Sequence, residues 1–172
     1  MLEAIKYSAV EVLRDGCRIE IRSLKPDDRD GLLAAVNRTS PQSLRRRFFG
    51  AKRGFTEREI SFFLNVDFVN HVALLAVLKD GEQSVVGGGR YVVTEPGKAE
   101  MAFVVVDRYQ GQGIATALLR HLTAIAHGAG INELIAQILP DNHAMLTILR
   151  KAGLRLITRR EPQVVHVALQ LK

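Results

Sequence analysis

The 172-residue chain has no tryptophan, one cysteine and five prolines, and aromatic residues make up only 6% of it. Each scarcity excludes something. Cys17 alone can form no internal disulfide and reads as a small strand residue. A lone thiol fits a reducing compartment, so a cytoplasmic location is expected. No apolar run reaches the ~20 residues of a membrane-spanning helix. The start, MLEAIKYSAVEV, lacks the basic-then-apolar order of a secretory signal, and no membrane partner is expected. The few aromatics are not interleaved with basic residues as a stacking platform for single-stranded nucleic acid requires. No His, Cys or Asp cluster has metal-ligand spacing, so no metal is expected, and no Ser-His-Asp arrangement is indicated.

What is present is ordinary in bulk, with 47% hydrophobic and 24% charged residues, enough for one domain with a substantial core. The formal charge of +6 favours an anionic partner: nucleic acid, a phosphorylated cofactor or an acidic protein face. The basic clusters at 45–47, 52–53 and 159–160 are short and read as solvated faces, so nucleic acid is not the expected partner.

Repeats and composition breaks are absent. The chain divides into an extension over 1–16, with room for the first strand of a hairpin, and a single domain over 17–172. An Asp-Gly turn precedes an alternating strand from Cys17 to Leu24 that puts Ile19 and Ile21 on one face. Three helices follow: behind Pro26, behind Pro41, and behind Thr56, whose spacing to Glu59 predicts a capping box. HVALLAVL, SVVGGGRYVVTE and Ala99 to Val106 then read as an antiparallel meander. A helix from about Gly113 to His127 carries Leu118, Leu122, Ile125 and Ala129 on one stripe. A strand over Glu133 to Leu139, a helix from Asn142 closed by Gly153, and two strands around Glu161-Pro162 complete the chain. The order predicts an α/β fold of the α+β kind, a mixed sheet with helices packed on it.

The segment RYQGQGIATALL, residues 108–119, joins a strand to a helix through two glycines. Glycines leave backbone N–H groups uncovered, and the first amides of a helix have no partner within it. Together with the helix dipole they form an anion site. Ala115 and Thr116 are small enough for a ligand to approach. No Gly-Lys-Ser/Thr follows, and residue 116 is neither glycine nor alanine, so the P-loop and dinucleotide patterns both fail.

Gln110-Gly111-Gln112-Gly113-Ile114-Ala115 resembles the cofactor loop of GNAT-type N-acetyltransferases. LPDNHAMLTILRKAGL resembles that family's later Asn-plus-helix segment, with Leu154 where phenylalanine is usual. The resemblance implies the GNAT fold, mostly antiparallel with splayed central strands, and acetyl-CoA as cosubstrate. It implies that the amides of Gln112 to Thr116 hold the pyrophosphate, and that backbone groups of Val104, Val105 and Val106 pair with the pantetheine arm like an added strand. Asn142 is implied as a pantetheine contact, and it also reads as a helix N-cap. Glu100 is implied as the general base, part-buried with a raised pKa. The tyrosine that serves many members as acid is replaced by Leu149, and His127 and His143 lie nearby in the wrong register.

The longer stretches RRRFFGAKRGFTEREISFFLNVDFVNHVALLAV, VVGGGRYVV and AEMAFVVVDRYQGQGIATALL look like the acetyltransferase domain of bacterial Pat-type protein lysine acetyltransferases. This implies a protein lysine as acceptor, attacked directly, in a free-standing monomer or homodimer or a domain cut from a larger chain. Arg47, His71, Arg90 and Tyr91 are the acceptor-side candidates. Two other readings stand beside it: a small-amine acetyltransferase, and a non-catalytic acetyl-CoA sensor.

Overall fold

The computed structural model describes residues 4–48 and 55–172. The Lys52-Arg53 pair and Phe49 fall outside the described residues. One eight-stranded sheet runs through the molecule in the order β1-β2-β3-β4-β5-β6-β8-β7. Its strands are β1 (Ser8–Val12), β2 (Arg18–Ser23), β3 (His71–Leu78), β4 (Val85–Glu95), β5 (Lys98–Val105), β6 (Glu133–Ile138), β7 (Arg155–Arg160) and β8 (Val165–Gln170). The helices are α1 (Arg29–Asn37), α2 (Pro41–Phe48), α3 (Glu57–Leu64), α4 (Ile114–Gly128) and α5 (His143–Arg150).

Every strand pair is antiparallel except β5 with β6. The Asp-Gly turn sets up the first hairpin, with Gly16 at φ 85° and β1 paired to β2 from Ser8↔Arg22 to Val12↔Arg18. β1 therefore belongs to the sheet. It is fastened to α4 as well: Glu11 Oε1 meets His121 Nε2 at 2.6 Å and also Arg120, while Tyr7 bonds to the other ring nitrogen of His121.

Alternation along the strands sorts the side chains onto two faces. Ile19, Ile21, Leu74, Met101 and Val105 join Leu118, Leu122 and Ile125 of α4 and Leu146 and Leu149 of α5 in the larger core. On the other face Ala73, Leu75 and Val85 pack with Ala35 of α1. Ala129 is a correction: α4 ends one residue earlier, and Ala129 is an exposed C-cap. The α3 box forms as the spacing predicts, with Glu59 N–H donating to Thr56 Oγ1 at 3.2 Å and Thr56 N–H to Glu59 Oε1 at 3.3 Å.

The parallel pair is short. It joins Lys98↔Glu133, Ala99↔Leu134 and Glu100↔Ile135, and then the strands part. β5 continues to Val105 against β4, and β6 continues to Ile138 against β8. The sheet opens between them.

Candidate active site

The opening is a slot walled by Met101 and Phe103 on β5, Ala136 and Ile138 on β6, and Asn142 and Leu149 of the α5 segment. Which backbone groups face it follows from the ladder. Val106 N–H donates to Val86 C=O at 2.9 Å, so Val106 is turned to β4. Strand alternation then turns Val104 the same way, and Val105 and Phe103 toward the slot. This corrects the expectation for 104–106: of the three valines only Val105 presents its backbone there, and Phe103 joins it. Even at Val105 the carbonyl is engaged, accepting from Gln110 Nε2 at 3.0 Å.

Gln110 is thus a brace. Its Nε2 also donates to Ser43 Oγ of α2 at 3.1 Å. Asp107 completes the joint, accepting from Ser40 N–H at 2.7 Å and Ser43 Oγ at 3.2 Å. Burial alone would raise the Asp107 carboxyl, but these bonds outweigh it and hold the group below its usual range. The joint fixes the start of α2 to the loop that precedes α4.

Within that loop Gly111 and Gly113 sit at φ 79° and 96°, a region that strains any side-chain-bearing residue. A Cβ on either would meet no atom within 4 Å, so both glycines border open space. The first bond of α4 runs from Ala117 N–H to Gly113 C=O at 3.0 Å. The amides of Ile114, Ala115 and Thr116 precede it and have no acceptor within the helix. The Ile114 side chain is buried in the core, so only its backbone is offered here. Gln112 and Gly113 lie at the rim of the same cradle. Asn142 caps α5 as expected, accepting from Met145 N–H at 3.3 Å, and it also lines the slot.

The acceptor-side candidates separate. Glu100 stands at the fork, in the last β5–β6 pair, on the sheet face opposite Ala99 and Met101. It is exposed, which corrects the expected part-burial. Its charge acts on Arg47, raising a guanidinium that burial lowers. Arg90 pairs in register with Ala102 on the same face, and its Nη1 lies 2.8 Å from His71 Nε2 and 3.3 Å from Phe63 C=O. His71 is only 6% exposed and stacks on Phe62, so it supports Arg90 from inside the fold. Burial first, then the charge of Arg90, push its imidazole down to about 4. Tyr91 is a correction. It is 1% exposed, points into the α4 core, and burial raises its hydroxyl to about 12, so it does not reach the cleft.

Leu149 is fully buried and apolar where a tyrosine acid is usual, and His127 and His143 are exposed outside the slot. Arg46 was missed in the sequence. It lines the slot and, with Arg45, forms ion pairs across its mouth to Asp141, at 3.8 and 3.5 Å. No group of three His, Cys, Asp or Glu suited to a metal occurs among the described residues.

The acetyltransferase (GNAT) domain model matches residues 18–155, spanning the meander, the glycine loop and α5. The chain belongs to the GNAT acetyltransferase family. Within it, the chain is 31% identical to an acetyltransferase of Pseudomonas aeruginosa over 91% of its own length and 87% of the relative's. It is 30% identical to the acetyltransferase Pat of Mycolicibacterium smegmatis over 82% of its length, but spans only 42% of that protein. The crystal structure of the GNAT domain of S. lividans PAT superposes with a TM-score of 0.86, at 32% identity, over 95% of this chain and 96% of that one. A Salmonella typhimurium acetyltransferase structure solved with its cofactor acetyl-CoA shares the fold, with a TM-score of 0.71 at 15% identity over 90% and 94% of the two chains. This GNAT chain is therefore an N-acetyltransferase of mixed α/β architecture. No helix among the described residues is long and apolar enough to cross a membrane.

Proposed function

We propose that the chain transfers the acetyl group of acetyl-CoA to a lysine side chain of a protein, with Glu100 as general base. The observation that carries the reading is the fork itself. β5 leaves β6 at one carboxylate, Glu100, runs on as a free strand edge, and leads through the glycine loop into one cradle of helix amides. The amides of Ile114 to Thr116 suit the pyrophosphate. The slot-facing backbone of Phe103 and Val105 suits the pantetheine amides, as a strand pairs with a strand. Asn142 and Arg46 close the slot from the far side.

Transfer requires a neutral amine. Glu100 takes the proton from the incoming ammonium, directly or through water. The amine nitrogen attacks the thioester carbon, the C–S bond breaks, the nitrogen releases its second proton to solvent, and the CoA thiolate takes a proton. Leu149 cannot supply that proton, so solvent at the slot mouth does. The exposure of Glu100 suits an acceptor presented on another protein's surface. The likeness to Pat and to the PAT domain supports a lysine acceptor.

The test is incubation of the purified chain with acetyl-CoA and a cell extract, with acetyl-lysines located by mass spectrometry. The unmodified chain is expected to create discrete sites. Glu100→Gln is expected to lose about 10²-fold or more in turnover while still binding acetyl-CoA. Equal turnover by the variant removes Glu100 from the role, and acetylation of free amines with no protein sites moves the acceptor to small molecules.

A further inference from the structure

A second, open-sided pocket lies under α1–α3, and nothing in the acetyl reading uses it. Its walls are apolar, including Leu33, Val36, Leu44 and Phe63. Its floor is the Gly87-Gly88-Gly89 stretch of β4. A Cβ on Gly89 would strike the Phe103 ring at 2.6 Å, and one on Gly87 would meet Val104 C=O at 3.1 Å. A Cβ on Gly88 would make only ordinary 3.4 Å contacts with Leu74 and Leu75. Packing explains the first two glycines. The third leaves chamber space that a side chain would fill.

The chamber and the slot are neighbours, since Ala102 and Arg47 line both. Ala102 is small, and its register partner is Arg90, which also lines the chamber. Among the described residues Arg90 bonds through Nη1, to a carbonyl and an imidazole, and its guanidinium lies 4.8 Å from the Phe63 ring centroid. No carboxylate pairs with it among the described residues. A cation largely withdrawn from water beside a second cation, Arg47, is costly until an anion joins it.

We propose that this chamber receives the acyl group of the donor thioester and that Arg90 binds a carboxylate at its far end, so that the chain uses dicarboxylic acyl-CoA donors of the succinyl class. The proposal rests on the acyl-CoA reading above. The donor is favoured over the acceptor as source of the carboxylate because Arg90 lies beneath α3, beside the slot. A protein acceptor meets the outer rim, where Glu100 is exposed. The transfer balances as before: the N–C bond forms, the C–S bond breaks, the ammonium proton leaves through Glu100, and the distal carboxylate is unchanged.

The experiment is calorimetric titration of the full chain with CoA, acetyl-CoA, succinyl-CoA and 4-methylpentanoyl-CoA, the last a neutral analogue of succinyl-CoA in shape. Succinyl-CoA is expected to bind at least about tenfold tighter than its neutral analogue, the scale of one charge-assisted fork. That ratio is expected to fall to about one in Arg90→Gln. Gly88→Val is expected to weaken both longer donors relative to acetyl-CoA. Equal binding of the two longer donors to the unmodified chain, with acetyl-CoA bound, overturns the proposal and leaves the acetyl reading standing. That comparison needs no variant, so misfolding of Arg90→Gln does not protect the idea. Absence of CoA and acetyl-CoA binding overturns both. A preference for acids beside the modified lysine that disappears in Arg90→Gln, with no donor preference, assigns the carboxylate to the acceptor and overturns the proposal as stated.

Discussion

At the scale of single residues, the chamber under α1–α3 holds a cation supported by a neutral base. His71 accepts from Arg90 only while its imidazole is unprotonated. In the unfolded chain that ring takes its proton near pH 6.5. In the fold, burial and the charge of Arg90 delay it to about 4. Between those values the unfolded chain binds the extra proton, so stability falls as pH falls through the window. The full shift amounts to roughly 3 kcal/mol. Urea unfolding from pH 7 down to pH 5 is expected to show roughly 2 kcal/mol of this loss in the native chain and a shallower fall in His71→Gln. Parallel curves for the two proteins discard the assignment.

At the scale of elements, the cofactor cradle depends on one turn between a strand and a helix. Gly113 is the N-cap of α4 at φ 96°, and no other residue type enters that conformation without strain. The amides it exposes are the ones assigned to phosphate. Gly113→Val should therefore lose acetyl-CoA affinity by more than about tenfold, a β-branched residue in the left-handed region being strained and its branch covering the cradle. Calorimetric titration reads the affinity and thermal melting reads the strain. A variant that melts lower but binds normally would show that the glycine serves the turn alone. The brace of Asp107, Ser40, Ser43 and Gln110 belongs to this scale too, because it couples α2 to the cradle.

At the scale of the whole molecule, the sheet is two blocks joined by three residue pairs between β5 and β6. A ligand seated in the slot bridges them. Acetyl-CoA at about 100 times its dissociation constant adds roughly 2.7 kcal/mol to stability. For a chain of this size that is a rise in melting temperature of roughly 5–10 °C. Scanning calorimetry with and without the ligand measures it. A melt indifferent to saturating acetyl-CoA would mean that the slot is not its site.

Much was legible from the chain alone, because local chemistry dictated it. The helix spans followed from caps and apolar spacing, the meander from short turns between apolar runs, and the loop at 111–113 from glycines that only a tight turn before a helix requires. The sequence also named Glu100, Arg47, His71, Arg90 and Asn142. Tertiary structure decided how they meet. Strand register turned Tyr91 into the core and Arg90 to the opposite face, a distinction of one residue that period-two alternation sets once the partner strand is known. Where β5 parts from β6 is a property of two strands far apart in sequence, so neither carries a local mark of the slot. The same holds for the exposure of Glu100, since burial depends on what other segments cover.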